Sequence, residues 1–399
     1  MPQTTYTSND KFLWFVTFAF LAFNSIGGKA EGGAAVLFVV TIIFLLCSNF
    51  RFQVRPYHLF VLQFTFFCYI SAFWALNGRM AIAKGNTLFQ ILFCTSVFYS
   101  YYSKLRNVDL LLRLIMWAGY FMVFYSYLFY GIGNVASMES DAERLSSEFA
   151  NVNSIGMKAA TVVIIHLYFC MYRKWERSIL LAIPTIILVA STQSRKAIVI
   201  LILGPLLLYY FKYLRQSRKS LVPFARLLLF VIVLIILVIT MSQTGLFSGV
   251  TQRMTNLLNS FTGEGYVDSS TSTREFFRKI GWIQFTRTPM LGVGMGNARI
   301  LAIRATGHDC YLHNNYAELA ANGGTVGLIS YYSIFLYVLY KEFKYYKVNS
   351  VACLFIVMIL IRFVSDWGAV SYYSKTTYIY LMMWFIHLDK CKKWYPKRK

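Results

Sequence analysis

The chain has 399 residues, of which 57% are hydrophobic and only 14% are charged, whereas soluble domains have about 45–50% apolar and about 25% charged residues. This composition excludes an ordinary water-soluble fold, and long apolar runs recur from residue 12 to residue 389. The net charge of +23 would suit nucleic-acid binding. Most basic residues, however, fall on short loops and tails of one side of the membrane, as the positive-inside rule requires. We therefore expect membrane lipids, and no nucleic acid, as partners.

In chain order, the apolar stretches predict an all-α integral membrane protein with about twelve transmembrane helices. We place these helices near residues 12–26, 33–49, 57–76, 83–102, 109–131, 154–172, 178–194, 197–213, 226–243, 325–341, 350–365 and 374–389. Loops rich in Lys and Arg alternate with loops that are acidic or poor in basic residues, which predicts that both termini are cytoplasmic. The first stretch lacks a basic start and a cleavage site, so we expect a retained helix.

Two outer segments depart from this pattern of short loops, an acidic one at 132–153 and a much longer one at 243–324. Structureless loops longer than about 12–15 residues are usually functional or disordered. The sequence therefore predicts three parts: transmembrane helices 1 to 9 in residues 1–242, a large extracytoplasmic loop in 243–324, and the last three helices with a basic cytoplasmic tail in 325–399.

The large loop has the signals of two short helices. Ser272 and Glu275 have the spacing of a capping box that opens a helix, which should end before Pro289. A second helix is predicted from Asp309 to Ala321. Phe276, Phe277, Ile280 and Ile283 form an apolar stripe along the first helix.

Three arginines are candidates for binding an anion. Arg195 lies in a polar break between two apolar spans, where a charged residue usually faces a cavity or a partner, although it could instead reach the outer headgroups. Arg274 and Arg278 are four residues apart, so they share one face of the predicted helix. Guanidinium groups match phosphate oxygens, and a helix N-terminus near Arg274 would add to the attraction. The alternative for Arg278 is a solvated basic face.

The segment Gly292-Val293-Gly294-Met295-Gly296 matches neither nucleotide-binding glycine pattern, so its glycines are expected to allow tight turns or close backbone approach. His308, Asp309 and His313 could suggest a metal site, but two histidines five residues apart do not share one helical face, and no CxxC pair exists. We predict no metal. A single imidazole such as that of His313 is suited to act as a general base for a hydroxyl group, or it is a structural residue near a helix start.

The order of these elements resembles the O-antigen ligase and O-antigen polymerase superfamily. Asn151-Val152-Asn153 is similar to an Asn-Pro-Asn element of that family, with Val152 where proline is commoner. The other matching elements are the Ser-Arg-Lys-Ala turn at 194–197, the helix-opening Arg274, the Pro-x-x-Gly-x-Gly segment at 289–294 and the pattern His-Asn-x-Tyr-x-Glu-x-x-x-x-x-Gly at 313–324.

The resemblance implies a GT-C-like helical fold and metal-independent glycosyl transfer on the outer face of the bacterial cytoplasmic (inner) membrane, without a cofactor. The donor would be a glycan linked to polyprenyl (undecaprenyl) pyrophosphate and the acceptor a second glycan, and the partners could include a chain-length regulator protein. Carried over by position, the resemblance makes His313 catalytic, assigns pyrophosphate binding to Arg195, Arg274 and Arg278, and leaves Glu318, Asn314 and Asn153 in supporting roles.

Within this superfamily, the sequence predicts a polymerase that joins lipid-linked repeat units into O-antigen, capsule or exopolysaccharide. The run from Tyr311 to Tyr316 resembles polymerases more than ligases. The alternative within the family is a ligase that transfers a finished glycan to lipid A-core. A transporter or flippase fits less well, because few ionisable groups lie inside the spans and the two halves differ. A membrane scaffold without enzymatic activity is the remaining alternative.

Overall fold

The computed structural model describes residues 6–26, 30–105, 108–136, 145, 150–173, 176–216, 225, 229 and 269–394. In this part of the chain every regular element is a helix and no strand occurs, which confirms the predicted helical class. The predicted span at 226–243, most of the acidic part of 132–153, and residues 243–268 of the predicted loop lie outside the described residues.

The described residues form the following helices in chain order. They are α1 (Ser8–Ile26), α2 (Ala30–Cys47), α3 (Pro56–Ile70), α4 (Gly78–Tyr102), α5 (Asp109–Tyr130), α6 (Ile132–Ala136), α7 (Val152–Arg173), α8 (Ala182–Ser191), α9 (Arg195–Gln216), α10 (Ser269–Arg287), α11 (Ala298–Thr306), α12 (Asn315–Tyr345), α13 (Ser350–Asp366) and α14 (Lys375–Trp394). Short 3₁₀ turns at Ser71–Phe73 and Glu176–Leu181 extend α3 and precede α8.

The chain divides into two compact units. The first unit consists of Met1–Asn49, Val108–Leu258 and Lys344–Ile361. In this unit α7 contacts α5 and α9 through small residues on those helices: a Cβ on Gly119 of α5 or on Gly204 of α9 would overlap the side chains of Val162 or Ile164 of α7. Glycine at these positions lets the helix backbones approach closely, as is common in membrane bundles.

The second unit consists of Phe50–Asn107, Asn259–Phe343 and Arg362–Lys399. Helix α3 begins with Pro56 as its first residue, a position where the missing N–H of proline has no cost. Helix α4 is capped by the side chain of Asn77, which accepts a hydrogen bond of 3.0 Å from the backbone N–H of Arg79. The hydroxyl of Tyr57 donates to Thr95 Oγ1 at 2.6 Å and so joins the two helices.

Six of the described helical segments are long and apolar enough to cross a membrane. They are Pro56–Phe73, Gly78–Tyr102, Asp109–Tyr130, Val152–Arg173, Arg195–Arg215 and Asn315–Tyr345. A helix also occurs at each other predicted span apart from 226–243, so the predicted helix positions are confirmed in the described residues. The total of twelve transmembrane helices remains a prediction.

The structure corrects the prediction for the second helix of the large loop. The segment from Gly307 to Asn314 is not helical, and α12 begins at Asn315 instead of Asp309. The predicted stop after Ala321 is confirmed, because Gly324 is non-helical, with φ 59° and ψ −157°, and divides α12 at a kink into two helical segments. A third helix, α11, was not predicted, because its sequence lacks a side-chain cap and carries arginines along an otherwise apolar stretch.

Candidate active site

Helix α10 carries Arg274 and Arg278 and is anchored by a single aromatic residue. Phe277 is 5% exposed and belongs to a buried cluster with residues of α11, α12 and the segment between them. The other members are Ala298, Ala302, Leu312 and Ala321, with Ile280, Leu301 and Cys310 packed against them. Because each residue projects at a fixed angle around the helix axis, burial of Phe277 fixes the direction of both arginines.

Two of the four residues of the apolar stripe on this helix are buried or partly buried inside the protein and two are exposed. Phe277 and Ile280 face the cluster, but Phe276 and Ile283 are 47% and 53% exposed. The helix end before Pro289 is confirmed, since α10 ends at Arg287, but its start lies at Ser269 and not at Ser272. Arg274 is therefore in the second turn, where the attraction of a helix N-terminus for anions has largely decayed.

Helix α10 crosses close to the start of α12. A Cβ added to Gly281 would lie 2.8 Å from the carbonyl oxygen of Ala317 and 2.9 Å from the Cδ1 atom of Leu312. Such distances are shorter than van der Waals contact, so only glycine allows this approach. The glycine brings the helix with the two arginines next to the segment that contains His313.

His313 lies in the non-helical segment directly before α12, in a left-handed backbone conformation with φ 57°. This conformation is uncommon for a residue with a side chain, and histidine is among the few types enriched there. The residues on both sides are buried and fixed. Leu312 donates its backbone N–H to Glu318 Oε2 at 2.9 Å, and Asn314 accepts at its Oδ1 from the backbone N–H of Ala317 at 2.9 Å.

The surroundings of the His313 ring are aromatic and basic. Its centroid lies 4.2 Å from that of Tyr311 and 6.2 Å from that of Phe277, and the side chain is partly exposed. Burial raises the pKa of the Tyr311 hydroxyl, and the nearby guanidinium of Arg274 opposes this shift. Tyr311 therefore stays protonated at neutral pH, close to both the imidazole and the guanidinium. The sequence alone does not single out this tyrosine as a site residue.

Arg278 has partners that the sequence does not reveal. Its guanidinium lies 3.4 Å from the carboxylate of Glu275 and 5.2 Å from the ring centroid of Trp367. The carbonyl oxygen of Trp367 in turn accepts a hydrogen bond of 2.9 Å from Asn314 Nδ2. Arg278 is thus positioned beside the histidine segment and is not only part of a solvated face. Arg274, by comparison, forms no ion pair within the described residues.

A buried polar network holds the start of α12 beneath the site. Asn315 is fully buried, and its Oδ1 accepts hydrogen bonds from the backbone N–H groups of Ser371 and Tyr372 at 2.9 Å and 3.2 Å. The hydroxyl of Tyr332 and the hydroxyl of Ser371 both donate to the carboxylate of Asp366. One feature of the sequence could have indicated this network: Asp366 is an acidic residue at the end of an apolar span. Such a residue is costly to bury without partners.

The glycine segment behaves as predicted. Gly292, Gly294 and Gly296 all have positive φ angles, of 63°, 90° and 80°. A Cβ on Gly292 would overlap the backbone of α12, and a Cβ on Gly294 would overlap Ala75. The prediction that these glycines allow tight turns and close backbone approach is confirmed.

Arg195 and Asn153 belong to the first unit, where the structure places them on two adjacent elements. Arg195 is the first residue of α9 and follows a turn in which Gln193 has φ 48°. A Cβ on Gly156, in the first turns of α7, would lie 2.6 Å from Thr192 Oγ1. The turn before Arg195 therefore packs tightly against the start of α7, where Asn153 is the second residue.

The residues tested for metal binding have other roles. Asp309 forms a bidentate ion pair with Arg299, with distances of 2.7 Å and 2.8 Å, and His308 is exposed. Among the described residues, no group of three or more His, Cys, Asp or Glu side chains is arranged to hold a metal ion. Asp309 thus joins α11 to the segment that leads to His313.

Comparison with known families identifies part of the chain directly. Residues 179–332 match a family model described as O-antigen ligase. This region includes Arg195, the two arginines of α10, the glycine segment and the first half of α12. No curated protein matches the chain. The match and the apolar helices together indicate a multi-pass membrane protein, and proteins of this family are glycosyltransferase-like enzymes that act on lipid-linked glycans. Residues 179–332 are thus similar to the O-antigen ligase family, and this match supports the predicted resemblance to the O-antigen ligase and polymerase superfamily.

Proposed function

We propose that this protein polymerises glycan repeat units linked to polyprenyl pyrophosphate, on the outer face of the bacterial cytoplasmic membrane, within a twelve-span GT-C-like fold. The observation that carries the proposal is the packing of α10 beside the segment before α12. It brings two guanidinium groups, a tyrosine hydroxyl and a partly exposed imidazole into one neighbourhood. These are the groups needed to hold a leaving pyrophosphate and to activate a hydroxyl group.

The proposed reaction exchanges one bond for another at the anomeric carbon of the donor. A hydroxyl oxygen of the acceptor glycan attacks this carbon while the bond from the carbon to the pyrophosphate oxygen breaks. The hydroxyl proton passes to the imidazole of His313. The bonding electrons leave with polyprenyl pyrophosphate, whose growing negative charge is stabilised by the guanidinium groups of Arg274 and Arg278.

Glu318 and Asn314 are proposed as positioning residues. Each forms a hydrogen bond with the chain next to His313, through Leu312 on one side and the capped turn of α12 on the other. Neither residue needs to contact the substrate. Their effect would be to keep the imidazole in the one orientation that reaches an acceptor hydroxyl.

Arg195 and Asn153, which lie in the first unit, are proposed to have the roles that the resemblance implies. Arg195 is the first residue of a helix, and the N-terminus of a helix also attracts anions. This combination supports a role in binding the pyrophosphate of the donor. Asn153 is proposed to support the turn before Arg195, because that turn packs against the start of α7.

A cavity in the second unit supports binding of a lipid-linked donor. It has a volume of about 900 Å³ and lies between the ends of α3 and α4. Its lining is mainly apolar, with Phe66, Ile70, Phe73 and Ile82, and Arg79 is its only charged residue. The turn beside it is bound to the residue directly before the glycine segment by the hydrogen bond from Trp74 Nε1 to the carbonyl oxygen of Leu291, at 3.0 Å.

The second candidate is a ligase, the activity that the description of the matching family model names. Polymerase and ligase use the same donor chemistry and differ in the acceptor. Purified protein incubated with lipid-linked repeat units alone should give a ladder of products if it is a polymerase. If product forms only when lipid A-core is added, the polymerase proposal is wrong and the ligase is correct.

The same purified protein would also distinguish an enzyme from two other classes of membrane protein. A flippase or transporter would move lipid-linked glycan across vesicles without releasing polyprenyl pyrophosphate, and a scaffold would do neither. A chain-length regulator is proposed as a partner, and it would change the length distribution of the ladder without being required for bond formation.

A further inference from the structure

A second cavity, distant in sequence from the candidate active site, lies in the second unit where three basic segments meet. Its volume is about 650 Å³. It is bordered by the loop before α3, the end of α4 with the residues after it, and the last turns of α14. The charge pattern of the sequence assigns all three segments to the cytoplasmic side. The cavity would then open at the inner face of the membrane.

The lining of this cavity is strongly basic. Five cationic side chains border it, against the single carboxylate of Asp389. The cations are those of Arg51, Arg55, Lys104, Lys390 and Lys393. Like charges gathered in one cavity repel one another, so this arrangement costs free energy until an anion enters.

Hydrogen bonds fix the walls of the cavity. The backbone N–H of Arg51 donates to Ser100 Oγ at 3.2 Å, and the Ser100 hydroxyl donates to the carbonyl oxygen of Arg51 at 3.0 Å. Lys390 Nζ donates to the carbonyl oxygens of Ser103 and Leu105. The loop and both helix ends are therefore tied together, and the cavity is a formed feature rather than a gap between loose chains.

The only carboxylate of the lining already has partners. The hydroxyl of Tyr99 donates to Asp389 Oδ2 at 2.7 Å, and Arg55 Nε lies 3.8 Å from the same oxygen. Outside the lining, Lys392 Nζ lies 3.7 Å from Asp389 Oδ1. Asp389 thus balances at most a small part of the positive charge around the cavity.

His58 provides an independent indication of a ligand. It lines the cavity, is 6% exposed, and its Nδ1 atom accepts a hydrogen bond of 3.0 Å from the backbone N–H of Arg55. An Nδ1 atom that accepts cannot carry the proton, so the proton of the neutral ring is on Nε2. That Nε2 atom is buried and has no hydrogen-bond partner in the structure. A buried donor without an acceptor is costly, which suggests that an acceptor from a ligand satisfies it.

We propose that this cavity binds an anionic phosphate group, carried either by the headgroup of a phospholipid or by a soluble phosphate. Arginine and lysine side chains would neutralise the phosphate oxygens, and His58 Nε2–H would donate to one of them. Basic pockets between helices on the cytoplasmic side are suited to anionic lipid headgroups. The site is separate from the donor site proposed above and does not depend on it.

The test uses the full-length chain purified in a non-ionic detergent. Native mass spectrometry would measure retention of phosphatidylglycerol and of phosphatidylcholine, and a parallel titration would use inorganic phosphate alone. The variant is Arg51→Gln with Lys104→Gln, since both side chains line the cavity and both residues are exposed. The matched control is Lys392→Gln, an exposed lysine of α14 that does not line the cavity.

We expect the double variant to bind the anionic probe at least about tenfold more weakly, with the control unchanged. Preference for phosphatidylglycerol over phosphatidylcholine would identify a lipid headgroup, and saturable binding of inorganic phosphate would identify a soluble source. The charge-preserving variant Arg51→Lys with Lys104→Arg should keep binding, which separates charge from misfolding. Equal binding by wild type and double variant, or no preference for either anionic probe, would overturn the proposal.

Discussion

The carboxylate of Glu318 accepts a hydrogen bond of 2.9 Å from the backbone N–H of Leu312, the residue directly before His313. Glu318 is 2% exposed and lies in the first turn of α12. The bond therefore ties the strained segment that contains His313 to the helix that follows it. In the proposed mechanism this makes Glu318 a positioning residue.

Changing Glu318 tests this role. Glu318→Gln keeps an acceptor oxygen and should retain most of the activity, whereas Glu318→Leu leaves the buried N–H of Leu312 without a partner. We expect Glu318→Leu to lower the free energy of unfolding by about 1–3 kcal/mol and to slow glycosyl transfer more than it weakens donor binding. Thermal unfolding and transfer rates measured over donor concentration would check this. Wild-type rates in Glu318→Leu would show that Glu318 has no positioning role.

Replacing His313 separates its chemical role from its backbone conformation. Glycine readily adopts the φ of 57° found at this position, so His313→Gly should fold at least as well as wild type. His313→Ala loses the ring but keeps the backbone strain of about 1 kcal/mol. Both variants should reduce polymer formation by at least about 10²-fold, the usual contribution of a general base. The measurements are polymer yield and the amount of protein in the membrane. Normal polymer length and yield in His313→Gly would show that the imidazole is not the base.

The sequence allowed the positions of helices and the resemblance to a family to be predicted, because apolar length and motif order can be read along the chain. It did not allow the contact of Arg278 with Trp367 to be predicted, since these residues are far apart in the chain and meet through a turn after α13. The start of α12 was also misplaced. The left-handed backbone at position 313 and the Asn314 side chain, which accepts from the backbone N–H of Ala317, set the start of the helix after these residues.

The two arginines of α10 should differ in how much they contribute to the rate of glycosyl transfer. Arg278 is partly neutralised by Glu275, whereas Arg274 forms no ion pair within the described residues and lies close to Tyr311. We expect Arg274→Gln to reduce the transfer rate by about 10²-fold and Arg278→Gln by about tenfold. Lys279→Gln is the control, because Lys279 is on the same helix and 68% exposed. Equal rates for Arg274→Gln and the control would rule out a role for Arg274 in stabilising the pyrophosphate.

Alanine substitutions at three glycines distinguish the effect of backbone conformation on stability from the effect of packing. A Cβ on Gly324 would overlap the backbone of Met290 at a positive φ, Gly307 has a positive φ of 73° but open space, and Gly133 has open space without a positive φ. We therefore expect destabilisation in the order Gly324→Ala, Gly307→Ala and Gly133→Ala. Gly307→Ala should cost about 1 kcal/mol, and Gly133→Ala should be close to neutral. Melting temperatures in detergent would give the order, and an equal effect at all three positions would contradict the packing described for α12.

Removal of divalent metal ions tests whether the arginines supply the positive charge that neutralises the pyrophosphate. Because guanidinium groups are proposed to neutralise the pyrophosphate, transfer by protein treated with EDTA should proceed at the rate of untreated protein. Rates would be compared with and without added magnesium after dialysis. Loss of activity with EDTA that magnesium restores would show that the arginines do not suffice.

The most direct test of the proposed mechanism is a single-turnover assay with purified lipid-linked repeat units. Wild-type protein should release polyprenyl pyrophosphate as each new glycosidic bond forms, with one equivalent for each bond. His313→Gly should bind the donor as tightly as wild type but release pyrophosphate at least about 10²-fold more slowly. Release at the wild-type rate from His313→Gly, or release without formation of a glycosidic bond by the wild type, would contradict the proposed mechanism.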